Sequence, residues 1–277
     1  MMPKILPKEA IESYRKDGFY SPIRVLSEAQ ATAGRARLEA YEESSGGPIG
    51  GAYRFKTHLL FPWVDELVRD ESILDAVEDV LGPNILCWNT NFFIKEAGDP
   101  GFVSWHQDST YWGLSEPDVV TAWVALSPAN EASGAMQMIP GSHLLDQVAH
   151  RDTFDEDNLL TRGQEIAVEV NEDEAQLIEL EPGEMSLHHV RIFHASAPNR
   201  TTDRRIGLAI RYIPTHVSQV VGESDSAALV RGVDDYRHFE AEPRPESDLA
   251  PAMLELHQRY ADNQAKVLYR GTDRTSF

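Results

Sequence analysis

Trp105-His106-Gln107-Asp108 and Phe193-His194-Ala195-Ser196-Ala197-Pro198-Asn199-Arg200, followed by Arg204-Arg205, are the stretches from which the rest of the chain can be read. Together they supply two imidazoles, one carboxylate and a downstream guanidinium. This is the ligand set of a non-haem Fe(II) centre followed by an anchor for an acidic cosubstrate. In a strand, residues two apart share a face, so His106 and Asp108 would both project into a barrel while Gln107 points away. A third donor from a distant strand, His194, would complete a facial triad and leave the opposite side of the metal open. Three-ligand Zn(II) sites use the same donor types, so the donors alone leave the metal undecided.

Around these stretches the chain reads as short strand-like segments separated by Gly and Pro, at 85–95, 102–109, 119–126, 135–139, 165–170, 175–180, 185–190 and 205–213. That pattern predicts a mainly β fold, an antiparallel sandwich or barrel, with flanking helices. Helical spacing predicts helices over 7–16, 27–43 with a Ser27 cap, 71–81 ended by Gly82-Pro83, and 248–266 with Leu249, Met253, Leu256 and Tyr260 on one stripe. The acidic stretch 150–158 has no period and reads as a mobile surface excursion. One catalytic domain over 1–277 is expected: a mainly helical part over 1–83, a β core over 84–215, and a C-terminal extension with a helix over 216–277.

A chain of 277 residues with 42% hydrophobic content can bury one large core. With 25 Lys+Arg against 45 Asp+Glu and a net charge of −20, binding to nucleic acid or to anionic membranes is not expected. No apolar run approaches the roughly 20 residues of a membrane span, and residues 1–20 lack a signal-peptide core, so a cytoplasmic protein is expected. Cys87 is the only cysteine, which excludes an internal disulfide and a cysteine-cluster metal site.

The segment 103–143, with Trp105-His106-Gln107-Asp108, Ala122-Trp123 and Ile139-Pro140-Gly141-Ser142-His143, resembles the phytanoyl-CoA dioxygenase family. So do Pro182-Gly183-Glu184 leading to His189, His194, Ser196, Asn199 and Arg205, and the N-terminal Asp17-Gly18-Phe19. The resemblance implies a double-stranded β-helix (jelly-roll, cupin-like) core with Fe(II) held by His106, Asp108 and His194. It implies 2-oxoglutarate chelating that iron and pairing its far carboxylate with an arginine, for which Arg205, eleven residues beyond His194, is the matching position and Arg204 the competitor. Ser196 and Trp123 also match positions near the cosubstrate. His143 is assigned to a turn near the barrel mouth. His189 is expected to line the site, and His188 is the runner-up distal ligand.

Strand parity favours Arg205 independently. Arg205, Gly207 and Ala209 would share the inner face, leaving space beside the guanidinium, while Ile206, Leu208, Ile210 and Tyr212 would pack outward under helices. Arg211 falls on the same inner row roughly 20 Å along and reads as a rim residue. Substrate contacts are expected from Asn89, Asn91 and Lys95 on the first strand and from Tyr111 and Trp112 after the metal motif.

The implied reaction consumes O2 and 2-oxoglutarate, releases succinate and CO2, and hydroxylates a C–H bond of a small molecule. A zwitterionic aminoalkylphosphonate or a natural product fits the acidic surface and the inner cations. The Asp108 carboxylate favours hydroxylation over halogenation. The alternatives are a jelly-roll metal- or ligand-binding protein without turnover and a Zn(II) hydrolase using the same ligands.

Overall fold

The computed structural model describes residues 3–222 and 224–274; the other positions of the expected 1–277 range lie outside the described residues. In chain order, α1 (Lys8–Asp17) leads into β1 (Phe19–Arg24), followed by α2 (Glu28–Ser45), α3 (Pro62–Val68) and α4 (Glu71–Leu81). Next come β2 (Ile85–Lys95), β3 (Val103–His106), β4 (Val120–Ala125), β5 (Met136–Met138), β6 (His150–Asp152) and β7 (Gln164–Ile166). Then follow β8 (Gln176–Ile178), β9 (Glu184–His189), β10 (His194–Ser196), β11 (Arg205–Pro214), β12 (Ser226–Arg231), β13 (Glu240–Ala241) and α5 (Pro251–Leu268).

Seven strands in the order β1-β9-β4-β11-β2-β12-β13 form the major sheet, and β3-β10-β5-β8 form the minor sheet facing it. Apart from the parallel β12–β13 edge, the pairings in both sheets are antiparallel. This is the jelly-roll that the family resemblance implied, and it fits the antiparallel sandwich or barrel expected from the spacing of short strands. The outer face of the major sheet carries Ile206, Leu208, Ile210 and Tyr212, which pack with Leu38, Trp63, Ile73 and Val77 of the helices. The inner face carries Trp123, Ala125 and Ala209 against Met136 and Met138 of the minor sheet.

The helix ends follow local chemistry. Ser27 and Gln30 form a reciprocal capping box at the start of α2, and Asp70 accepts from Ser72 N and Ile73 N to start α4. Gly18 ends α1 in the left-handed region, and a side chain there would collide with the His143 ring.

The N-terminal part is mainly helical, and it also contributes β1, which forms one edge of the major sheet with a register shift between Tyr20 and Ile23 that breaks its pattern. Two expectations need correction. The β structure is not confined to 84–215, since β1 lies at one edge of the major sheet and β12 and β13 extend it at the other. Residues 150–152 are not part of a mobile excursion: they form β6, paired with β7, and the His150 ring accepts from the Gln107 backbone amide.

A buried ionic cluster ties the C-terminal extension to the barrel. Lys56 Nζ donates to Trp88 O, Ser226 O and Glu242 Oε1 at 2.7–2.8 Å, and His58 Nε2 lies 2.7 Å from Glu242 Oε2. Burial alone would raise the Glu242 carboxyl, but Lys56 and His58 outweigh it and hold it at about 2, below its ordinary 4.5. A carboxyl depressed by folding stabilises the fold fully above its ordinary value, and that contribution is lost as pH falls through 4.5 toward 2. Glu242→Gln should therefore flatten the acid limb of a stability-against-pH profile measured by urea unfolding. Glu242→Ala, which leaves Lys56 buried without its closest counter-charge, should cost about 3–5 kcal/mol. An unchanged urea midpoint would show that water reaches the cluster.

Candidate metal centre

Strand pairing assembles the three donors. β10 lies beside β3 with His194 opposite His106, and the two rings have centroids 4.0 Å apart. The chain then leaves β3 and turns at Asp108–Tyr111 into a short 3-10 helix, with Asp108 N donating to Val190 O at 3.0 Å. Asp108 is thus delivered by a turn rather than by the extended strand expected over 102–109, although Gln107 still points away. The Gln107 amide is buried on the other side, where it donates to Arg191 O and accepts from Val148 N.

Both histidines are held in the tautomer a metal requires. His106 Nδ1 donates to Ser104 O or His194 O, and His194 Nδ1 donates to Ile192 O, so each Nε2 is left as the lone-pair donor. Asp108 Oδ1 lies 3.4 Å from His106 Nε2 and 4.0 Å from His194 Nε2. The three donor atoms lie within 4.8 Å of one another, and all three residues are buried. Burial opposes ionisation of Asp108, but His106, Arg211 and His194 hold its carboxyl well below the usual carboxylate range. Burial and the neighbouring His106 keep the His194 imidazole neutral. Two imidazoles and one ionised carboxylate, converging from one side, could hold a divalent cation with open positions opposite.

Two chambers meet at Asp108, Arg211 and Phe93. The inner chamber, about 410 Å³, is lined by His106, His194, Ser196, Trp123 and Arg205. Arg205 is 1% exposed, donates to Gly134 O at 2.7 Å, and lies 5.3 Å from the Trp123 ring; its Nε has no partner. Burial pushes its guanidinium down to about 10, so it remains charged at neutral pH. Among the described residues no carboxylate pairs with it, which removes the competing explanation of an internal salt bridge. Arg204 points to the opposite face and pairs with Glu42 and Glu96. Ser196 Oγ accepts from Lys95 Nζ at 2.8 Å, which leaves its own proton free to donate into the chamber.

The space expected beside Gly207 is filled: a Cβ there would sit 1.8 Å from Trp123 Cζ2, so the missing side chain admits the indole, not a ligand.

The outer chamber, about 780 Å³ with its open mouth, is lined by Asn89, Asn91, Tyr111, Trp112 and Arg211. Lys95 departs from that group, because its Nζ donates to Ser196 and Ala197 O at the inner end. Burial and then Arg205 lower its pKa to about 6. Arg211 is no rim residue: it is buried, with Nε 3.9 Å from Asp108 Oδ2 and its guanidinium 4.8 Å from the Trp112 ring.

The neighbouring histidines also trade places. His188, not His189, lines the inner chamber, with its ring 5.3 Å from that of His194 and burial lowering its pKa to about 4. His189 faces away, stacks near His143 and accepts from Arg191 N; His143 in turn lies 3.1 Å from Arg15 O and joins its turn to α1.

Sequence reasoning passed over Arg54, Leu160, Thr161, Gln264, Val267 and Leu268, which complete the outer chamber. Only Gln264 left a signal: it continues the buried Met253–Tyr260 stripe of α5 with a polar residue.

Asp108→Ala should weaken Fe(II) binding at least about tenfold in an anaerobic titration, while His188→Ala stays within about threefold of wild type. A His188 variant that loses metal while His194→Ala retains it would reassign the third donor.

The sequence matches the family described as phytanoyl-CoA dioxygenase (PhyH) over residues 14–207. It is 35% identical over 168 residues to the probable alpha-ketoglutarate-dependent hypophosphite dioxygenase of Stutzerimonas stutzeri, covering 60% of this chain and 58% of that protein. It is 29% identical over 157 residues to the ectoine dioxygenase of Bordetella parapertussis, covering 50% of each. The chain thus spans between half and three-fifths of the length of these curated relatives. The solved structure of apo ThoJ, a non-heme monooxygenase, superposes with a TM-score of 0.83 at 37% identity, covering 94% of this chain and 97% of that one. CytC3 with Fe(II) and alpha-ketoglutarate superposes with a TM-score of 0.64 at 25% identity, covering 86% and 93%. With the family match spanning most of its length, this chain belongs to the phytanoyl-CoA dioxygenase (PhyH) family.

Proposed function

We propose that the protein is an Fe(II)- and 2-oxoglutarate-dependent dioxygenase that hydroxylates a C–H bond of a small molecule. One observation carries the reading: a convergent His106–Asp108–His194 donor set shares a buried chamber with Arg205, a cation lacking a carboxylate partner among the described residues. An arginine in that position requires an anion, and a dicarboxylate can meet the metal at one end and the guanidinium at the other. The dioxygenases among its relatives, and the Fe(II) and alpha-ketoglutarate in the CytC3 structure, support the same cofactor pair.

When bound, Fe(II) and 2-oxoglutarate supply the oxidation, dividing O2 between succinate and the substrate alcohol with loss of CO2. The chain's own residues do the rest. His106, His194 and ionised Asp108 would hold the cation on one side. Arg205 and Ser196 would orient the cosubstrate, and the Trp123 indole seated in the gap at Gly207 would wall it off from water. Arg211 offsets the Asp108 charge from the side of the outer chamber, where the substrate enters. Neither a Zn(II) hydrolase nor a non-catalytic binding protein requires Arg205, whereas a 2-oxoglutarate-dependent oxygenase does.

Anaerobic Fe(II) followed by 2-oxoglutarate should give the weak visible charge-transfer band of the chelate. Arg205→Ala should weaken 2-oxoglutarate by about 2 kcal/mol or more, roughly 30-fold. Arg204→Ala, on the outer face, should not. No band from folded wild-type protein would overturn the reading.

A further inference from the structure

The outer chamber contains a second cation that the metal chemistry does not use. Arg54, in the short 3-10 turn Gly51–Arg54, lines it, and also borders a neighbouring surface cavity with Asp155 and Glu156. Burial lowers its pKa, and only the Tyr269 phenol works in the other direction. Among the described residues no carboxylate pairs with it. The other arginines of the described residues that are not exposed, Arg205 apart, do pair, among them Arg162 with Asp152, Arg204 with Glu42, and Arg231 with Glu78.

Other groups lining the chamber point the same way. Gln264 Oε1 on α5 and Asn91 Oδ1 on β2 are buried without hydrogen-bond partners. Rotating either amide offers a donor or an acceptor to a ligand. Asp225, the acidic group of the chamber wall besides Asp108, is already engaged: its oxygens accept from Trp88 Nε1 at 2.6 Å and Ser226 N at 2.8 Å, with Lys56 Nζ 3.8 Å away. The walls between are Trp88, Trp112, Val267 and Leu268. A ligand suited to this chamber has an apolar body, a few polar atoms along it, and a negative charge at its far end.

We propose that Arg54 is the substrate-anchoring residue, pairing with a carboxylate or phosphonate at the end of the substrate remote from the metal. Gln264 on α5 completes that contact. The inference rests on the oxygenase reading above and adds the substrate class. It also gives the C-terminal helix, which lies beyond the family match at 14–207, a part in selecting the substrate. The half-buried position of Arg54 strengthens a correctly placed ion pair relative to open solvent and disfavours a ligand that leaves the guanidinium without an anion.

The test uses the protein loaded anaerobically with Fe(II) and saturating 2-oxoglutarate, with matched probes: L-proline and L-prolinamide, cyclohexanecarboxylate and its amide, and 2-aminoethylphosphonate and ethanolamine. Probe binding is read as perturbation of the chelate band, and succinate release is measured after air is admitted. At least one acid should bind wild type about tenfold or more tighter than its partner lacking the anionic group. Arg54→Gln should remove that preference by weakening the acid and not the amide, and Arg54→Lys should restore part of it. Carboxylate probes alone, or the phosphonate alone, would identify the anion. Equal binding of acids and amides, no response to any acid, or an acid affinity unchanged in Arg54→Gln would each overturn the proposal. Should the glutamine variant not fold, the acid-against-amide comparison on wild type decides. Absence of the band before any probe is added overturns the oxygenase reading instead, and this inference with it.

Discussion

The pairing of β10 with β3 is the constraint on which the rest of the structure depends. It sets two imidazoles 88 residues apart side by side, and a slip of one residue would turn His194 to the opposite face. Strands of three and four residues do not hold a register unaided, so neighbouring turns fix it. Ser142 Oγ accepts from Phe193 N at 2.8 Å, and Ile139 N donates to Phe193 O at 3.0 Å, which clamps the residue just before His194. On the other strand the Gln107 amide staples the chain just before Asp108 to two loop backbones. The Ile139–His143 motif therefore acts on the metal centre through its backbone, without reaching it.

Charge is sorted by the same alternation. Arg204 and Arg205 are adjacent in sequence, yet one reaches three glutamates near the surface and the other is sealed in the inner chamber. Arg205 and Arg211 share a strand face, so a single strand lines both chambers with cations, one in the inner chamber and one beside Asp108. A strongly acidic protein can thus keep a cation-lined interior, because its surplus carboxylates are mostly surface groups screened by solvent.

Much of this was legible from the chain. The three donors, Arg205 over Arg204, the outward apolar row of β11 and the Ser27 cap all follow from local period or local chemistry. Other features were not. β1 carries a register shift that breaks its alternation, and β6 lies in a stretch whose acidic composition hides its pairing. The parity argument placed Gly207 on the correct face, but only the packed structure reveals that Trp123 from the adjacent strand fills the gap. His188 and His189 differ by one residue, and motif matching selected the one that faces away.

The sequence by itself determined the chemistry: the donor types, the inward guanidinium and the alternation that puts each on one face, because these depend on residue identity and on a two-residue period. The tertiary structure decided which cations lack a counter-charge and which walls close the outer chamber. Arg54, Asn91, Arg211 and Gln264 come from a turn, two strands and a helix far apart in the chain. Whether a buried charge or amide is left for a ligand depends on every neighbour it meets, and those neighbours are set by packing and not by sequence distance.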